Sequence, residues 1–137
     1  MKRSIKILNL ILFAAVLAVS SCTKENTTDP SPDNRTKFIG NWGVQESYQK
    51  GYYEVTITAD PNATDRVLIS NFGGVGSGNK ATAYLTGSSI TLDANQNVAG
   101  WILNGAGTII GTTTMNWTYT MDNGATTISA TAVFTKK

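Results

Sequence analysis

Histidine is absent from this chain of 137 residues, and cysteine occurs only once. The lack of histidine removes the commonest general base, the Ser-His-Asp arrangement and the usual zinc ligands. The single cysteine, Cys22, cannot form an internal disulfide, and no second thiol is present for metal or redox chemistry. The sequence therefore predicts a protein that is not an enzyme and that carries no cofactor. An enzyme acting through Glu46 is kept only as a third alternative.

Carboxylates fall mostly in predicted turns, and they give little support to a metal site. Oxygen-bearing side chains at Asp60, Asn62, Thr64 and Asp65 are of the kind that calcium binds. Their spacing nevertheless lacks the glycine and the terminal glutamate of a calcium loop. A plain Asp-Pro turn is the simpler interpretation, and we expect no metal site.

Residues 73–80, GGVGSGNK, are the one stretch that resembles a phosphate-binding loop. Such a loop needs Gly-x-x-x-x-Gly-Lys-Ser/Thr between a buried strand and a helix. Asn79 separates Gly78 from Lys80, and Ala81 stands where the hydroxyl should be. The residues that follow alternate with period two, as in a strand. We therefore predict a flexible hairpin loop, because glycine tolerates positive φ.

The N-terminus has the pattern of a secretory signal. Lys2, Arg3 and Lys6 precede or flank the apolar run ILNLILFAAVLAV, which is shorter than the roughly 20 residues that a spanning helix needs. We predict that residues 1–21 are a signal peptide that is removed.

The signal ends in VSSC, residues 19–22, which resembles the lipobox of bacterial lipoproteins. This resemblance implies that Cys22 is acylated and becomes the new N-terminus, and two or more acyl chains give stable anchoring. In the common Gram-negative pattern, an aspartate after the cysteine retains the protein at the inner membrane, and here Thr23 follows instead. The resemblance thus implies the outer membrane, on its periplasmic face or at the cell surface.

Residues 22–37 are predicted to be the lipidated cysteine and a flexible tether. Positions 23–37 contain two of the three prolines and no large apolar residue, so they cannot bury enough surface to fold. Loss of the three basic residues before Cys22 leaves 11 − 3 = 8 basic against 9 acidic residues. This near-neutral charge argues against nucleic acid as a partner. Residues 38–137 form one small domain, which we expect to be monomeric.

Within residues 38–137, apolar side chains recur at every second position between clusters of Gly, Asn, Asp and Pro, as in strands with one buried face. The short connectors, such as DNGA at 122–125, join neighbours antiparallel. The predicted fold is all-β: an eight-stranded up-and-down meander that closes into a barrel and so removes both edges. The eight strands are expected near residues 40–48, 51–59, 66–72, 80–87, 89–94, 99–109, 112–121 and 125–135.

A membrane-spanning barrel is the rival interpretation of eight strands. It would have to present an apolar outer band to lipid. The predicted strands, of about 8 residues, are shorter than the 9–11 that cross a bilayer, and an acyl anchor would then be redundant. We favour a domain outside the bilayer.

The stretch FIGNWGV at 38–44 carries a Gly-x-Trp signature at Gly40 and Trp42. Together with the lipobox, the short tether and the strand meander, it makes the chain similar to small lipocalin-like lipoproteins of Gram-negative bacteria, a family largely without assigned function. The resemblance implies a calycin-type barrel in which Gly40 and Trp42 form a structural plug at the closed end. The lipocalin motif usually supports this Trp with an arginine from the last strand, whereas here that strand ends in Lys136 and Lys137.

The predicted interior mixes large and small side chains, which leaves two functions open. A hollow barrel would bind a small hydrophobic or amphipathic molecule, whereas a filled barrel would be a structural module or one that interacts with proteins or glycans. The candidate ligand-binding residues are Glu46, Tyr48, Tyr53, Trp101, Trp117 and Tyr119.

Glu46 is the most informative of these candidates. Counting by two from Trp42 through Val44 places it on the inward face of the first strand, where a carboxylate needs a partner or water. It could contact a ligand at the open mouth, paired with Arg66, or lie where the strand leaves the barrel. We favour the exposed strand end.

Replacing Cys22 with serine is expected to abolish metabolic labelling of the protein by palmitate, because serine lacks the sulfur atom to which the lipid is attached. Labelling is measured by autoradiography of the protein expressed in a Gram-negative host. Continued labelling of the Cys22→Ser chain would show that the lipobox had been misinterpreted.

Overall fold

The computed structural model describes residues 33–48 and 51–137. The predicted signal peptide, Cys22 and residues 23–32 of the predicted tether lie outside the described residues. Lipidation and export therefore stay predictions. In the part of the chain that is described, no helix is long and apolar enough to span a bilayer.

The described residues form an all-β barrel of antiparallel strands in up-and-down order, as predicted. With one exception, successive strands pair along the chain, and the first strand also pairs with the last, which closes the sheet on itself. The strands are β1 Gly40–Glu46, β2 Tyr52–Ala59, β3 Arg66–Ser70, β4 Lys80–Thr86, β5 Ser89–Leu92, β6 Gln96–Val98, β7 Trp101–Ile110, β8 Thr114–Asp122 and β9 Thr127–Lys136. A single 3₁₀ turn, Phe72–Gly74, lies between β3 and β4.

Nine strands occupy eight positions because β5 and β6 lie end to end along one side of β7. Ser89 pairs with Thr108, and Gln96 pairs with Leu103. The predicted break between strands at 89–94 and 99–109 was misplaced, since Gln96 begins β6 and a turn lies at Ala99 and Gly100, both with positive φ.

The Gln96 side chain bridges the gap between β6 and β4. Its amide nitrogen donates to the Thr82 carbonyl and its oxygen accepts from the Thr82 N–H, both at 2.7 Å. Between β5 and β6, no strand pairs with this part of β4 on the side away from β3. The Gln96 side-chain amide takes the place of the missing strand, so the Thr82 N–H and carbonyl stay hydrogen-bonded.

The inward faces of the strands are apolar except at Glu46, as the period-two pattern predicts for strands with one buried side. Threonine and other polar side chains alternate with it on the outside, as the burial pattern of β9 shows. On β2 the predicted inward face has Tyr53 and Ala59 half-buried at its ends. The other inward positions predicted on β2, β8 and β9 are buried: Val55, Ile57, Met115, Trp117, Tyr119, Met121, Ile128, Ala130, Ala132 and Phe134.

Trp42 is fully buried near the start of β1, at what we call the closed end of the barrel. Its indole N–H donates to the Phe38 carbonyl at 2.8 Å, so its polar atom is satisfied. Lys136 of β9 places its ammonium group 5.3 Å from the centroid of the Trp42 ring and donates to the Lys37 carbonyl. This lysine thus forms a cation–π contact with the indole.

Residues 33–37, which the sequence assigns to the end of the tether, lie in turns against the closed end. The Arg35 guanidinium donates to the carbonyls of Asp60 and Ala63 at 3.1 and 2.7 Å. The same group pairs with Asp33, and that hydrogen bond is the main reason the pKa of Asp33 is lowered. The chain therefore enters the barrel at the end where Trp42 lies.

Large and small side chains face one another across the strands, which lets the interior close. Trp117 on β8 pairs with Gly107 on β7 and with Ala132 on β9. A Cβ atom added at Gly107 would lie 2.6 Å from two atoms of the Trp117 ring. The indole thus occupies the space that a side chain on β7 would need.

Gly107→Ala is expected to lower the free energy of unfolding by about 1–3 kcal/mol, the usual cost of overpacking a core. The matched control is Gly78→Ala, because no atom lies within 4 Å of a Cβ added there. Urea unfolding followed by tryptophan emission measures both variants. Equal stability of the two would contradict the packing of Trp117 against β7.

Candidate functional site

Glu46 is the last residue of β1, at the other end of this strand from Trp42, and its side chain points into the barrel. Its side chain belongs to the buried set, with 7% of the residue exposed. The prediction that Glu46 lies at an exposed strand end is therefore wrong. The pairing with Arg66 is also wrong, because Arg66 forms its ion pair with Asp93.

Two tyrosine hydroxyls hold the Glu46 carboxylate. Tyr53 donates to Oε2 at 3.0 Å, and Tyr119 donates to the same oxygen. Burial raises the pKa of both phenols, and the neighbouring carboxylate raises them further. The two hydroxyls therefore keep their protons and act as donors over the physiological pH range.

Phe72 fills the centre of the barrel from the loop between β3 and β4. Its side chain is fully buried, and its ring meets those of Trp117 and Tyr119 edge-on at centroid distances of 5.0 and 4.8 Å. Phe134 completes the cluster at 6.2 Å. These contacts have the tilted and T-shaped geometries that aromatic pairs prefer, and they leave the middle of the barrel packed.

The glycine-rich stretch allows this insertion because the backbone must turn through left-handed conformations. Asn71, Gly73 and Gly74 have φ values of 62°, 65° and 73°. The Asn71 side chain ties the loop down by donating to the Glu54 carbonyl and accepting from the Gly76 N–H. GGVGSGNK is thus a loop joining antiparallel strands, as predicted, and it covers one end of the barrel.

A cavity of about 190 Å³ lies between this loop and the ends of the strands, at what we call the mouth. Glu46 and Tyr119 form its polar wall. Tyr48, which is 56% exposed, marks its solvent side. The lining residues are Glu46, Tyr48, Gly73, Gly74, Val75, Trp101, Tyr119, Met121 and Ile128.

The structure brings four of the six predicted ligand-binding residues to this cavity. They are Glu46, Tyr48, Trp101 and Tyr119. Tyr53 lies behind Glu46 and contacts it by a hydrogen bond. Trp117 does not line the cavity, because it packs deeper against Phe72.

The loop wall of the cavity, Gly73–Val75, was missed at the level of the sequence. The sequence feature that could have indicated it is Phe72, a large apolar residue directly before the glycine run. Such a side chain is not expected in a solvated hairpin loop. The left-handed backbone favours glycine at Gly73 and Gly74, and a Cβ at Gly73 would also lie 2.5 Å from the sulfur of Met121.

The mouth offers hydrogen-bonding and aromatic groups rather than a metal centre. Among residues 33–48 and 51–137, no three His, Cys, Asp or Glu side chains are grouped so that they could hold a metal ion. Asp60, considered above as a calcium ligand, accepts from the Asn62 N–H at 2.8 Å, which is an Asx turn.

Comparison with known proteins adds no family to this description. A scan against protein-family models found no match, and a search of curated proteins found none either. The class that the structure defines is therefore an eight-position antiparallel β-barrel with a small cavity at its mouth. The resemblance to lipocalin-like lipoproteins stays a prediction.

The raised pKa values of Tyr53 and Tyr119 predict a loss of stability in alkali. The unfolded chain releases these phenol protons near pH 10, whereas the folded barrel retains them, so the free energy of unfolding falls as pH rises above about 10. Tyr53→Phe is expected to reduce this slope, measured by urea unfolding from pH 9 to pH 11. Between pH 6 and 8 the variant and the wild type should both show no tyrosine-dependent slope. An unchanged slope above pH 10 would contradict the buried position of the phenol.

Proposed function

We propose that this protein is a lipid-anchored lipoprotein of the cell envelope whose barrel binds a small amphipathic molecule at the mouth and performs no catalysis. One observation carries the binding part of this proposal: a cavity whose walls are mainly apolar also contains a buried carboxylate. Binding sites for small molecules typically combine such walls with a few placed polar groups.

The size of the cavity restricts the ligand. About 190 Å³ lies below the roughly 300–1,000 Å³ of pockets that hold drug-sized molecules. Phe72 occupies the central volume that a hollow barrel would give to a long acyl chain or to haem. The proposal is accordingly for a short ligand whose apolar part contacts Met121 and Ile128.

The anchor part of the proposal rests on the N-terminal sequence. Asp33, the first described residue, is 33 − 22 = 11 positions after Cys22. A fully extended chain of that length reaches at most about 40 Å, at roughly 3.3–3.6 Å per residue. The chain enters at the closed end, where Arg35 binds the β2–β3 loop. This attachment favours a mouth directed away from the membrane, where it would take its ligand from the aqueous side.

A second function is favoured by the same aromatic cluster. Phe72, Trp117, Tyr119 and Phe134 pack the centre as a structural core would. A filled barrel could serve as a structural module or bind proteins or glycans through its loops and its outer threonine rows. The two functions differ in one property, because only the first requires the mouth cavity to admit a ligand.

Ile128→Phe is expected to weaken ligand binding at least tenfold, because the added ring fills part of the cavity that Ile128 lines. Ile110→Phe is the matched control, since Ile110 is 56% exposed on the outside. The full chain, in non-ionic detergent, is screened by native mass spectrometry against short cationic, neutral and anionic amphiphiles, with palmitate and haem as long or bulky comparisons.

Short amphiphiles that bind and are lost in Ile128→Phe would support the binding function. If no short amphiphile forms a complex with the wild type, the binding function is overturned and the filled structural module replaces it.

A further inference from the structure

The charge of Glu46 has no counterion within the described part of the chain. Each cationic side chain there is engaged elsewhere, lies at the other end of the barrel or, in the case of Lys80 at the start of β4, is exposed on the outer face. Arg35 pairs with Asp33, Arg66 with Asp93 and Lys137 with Glu54, while Lys37 and Lys136 lie over the rings of Phe38 and Trp42. A buried carboxylate without an opposite charge is costly, so a cation entering the mouth would remove an existing penalty.

One oxygen of this carboxylate is left for a ligand. The Tyr53 and Tyr119 hydroxyls both donate to Oε2, and no described residue donates to Oε1. Oε1 is thus the carboxylate oxygen that has no donor among the described residues, and Glu46 lines the cavity that a ligand would enter.

Aromatic rings surround the same space. Tyr48, Trp101 and Tyr119 line the cavity together with Glu46. Ring faces attract ammonium groups, most strongly for tryptophan, and the attraction grows when the cation is desolvated. A carboxylate and several rings around one cavity thus favour a cation, whereas an anion would be repelled by Glu46.

We infer that the ligand of the mouth is a small organic ammonium ion, a primary or methylated amine on a short apolar group. The ammonium donates to or contacts Oε1 of Glu46 and lies against the aromatic walls, while the apolar group packs on Met121 and Ile128. This inference rests on the proposed binding function and specifies its ligand class. Tyr53 and Tyr119 act as positioning residues, because their hydrogen bonds hold Oε2 of the carboxylate and leave Oε1 for the ligand.

The test compares three probes with the same ring and different head groups: 2-phenylethylamine, 2-phenylethanol and 3-phenylpropanoate. Binding to the full chain in non-ionic detergent is measured by isothermal titration calorimetry, with empty micelles as the blank. The amine is expected to bind at least tenfold more tightly than the alcohol, a difference of about 1.4 kcal/mol. The carboxylate probe is expected to bind more weakly than the alcohol. This comparison uses the wild type and needs no variant to fold.

Glu46→Gln then assigns the selectivity to one residue. The substitution keeps an oxygen that can accept from Tyr53 and Tyr119 but removes the charge, so the affinity for the amine should fall at least tenfold, to that of the alcohol. The affinity for the alcohol should not change. Glu54→Gln is the matched control, since Glu54 is an exposed glutamate on the outer face of β2, and it should bind both probes as the wild type does.

The outcomes separate the ligand class from the binding function. If the alcohol binds as tightly as the amine and Ile128→Phe weakens both, the cavity binds ligands and the ammonium inference is overturned. An affinity for the amine that is unchanged in Glu46→Gln also overturns it. If none of the three probes binds, the inference and the proposed binding function both fall.

Discussion

Pairing of the first strand with the last is the constraint on which the rest of the structure depends. Val44 of β1 lies opposite Phe134 of β9, and Glu46 lies opposite Ala132. This ladder turns an open meander into a closed barrel, which removes both edges and obliges all inward side chains to share one confined volume. It also brings β8 within reach of β1, so that Tyr119 can donate to Glu46 across the interior.

The confined volume is divided between a packed centre and a small cavity at one end. Phe72 enters from the loop and meets Trp117, while Gly107 provides the room that the indole requires. The two interpretations that the sequence left open, filled and hollow, therefore apply to different parts of one barrel. The functional proposals concern only the mouth, because the apolar walls and the Glu46 carboxylate occur together there.

Local periodicity allowed the strands and their inward faces to be predicted, since alternation along β8 or β9 depends only on residues close in sequence. The interruption between β5 and β6 was not predictable in this way, because it depends on a positive φ at Asn95 and on Gln96 reaching β4. The surroundings of Glu46 depend on Tyr119, which is 73 residues away in sequence. Alternation places such a carboxylate inside the barrel, but only the closed fold supplies its hydrogen-bond donors.

Amide hydrogen exchange along β1 and β9, followed by NMR in the full chain, tests barrel closure most directly. The account predicts that the β1 amides directed toward β9 are protected as strongly as those between β8 and β9. Rapid exchange of these β1 amides beside a protected β8 would reveal an open sheet. In such a sheet Tyr119 could not donate to Glu46, and the mouth cavity and the proposed ligand site would not exist.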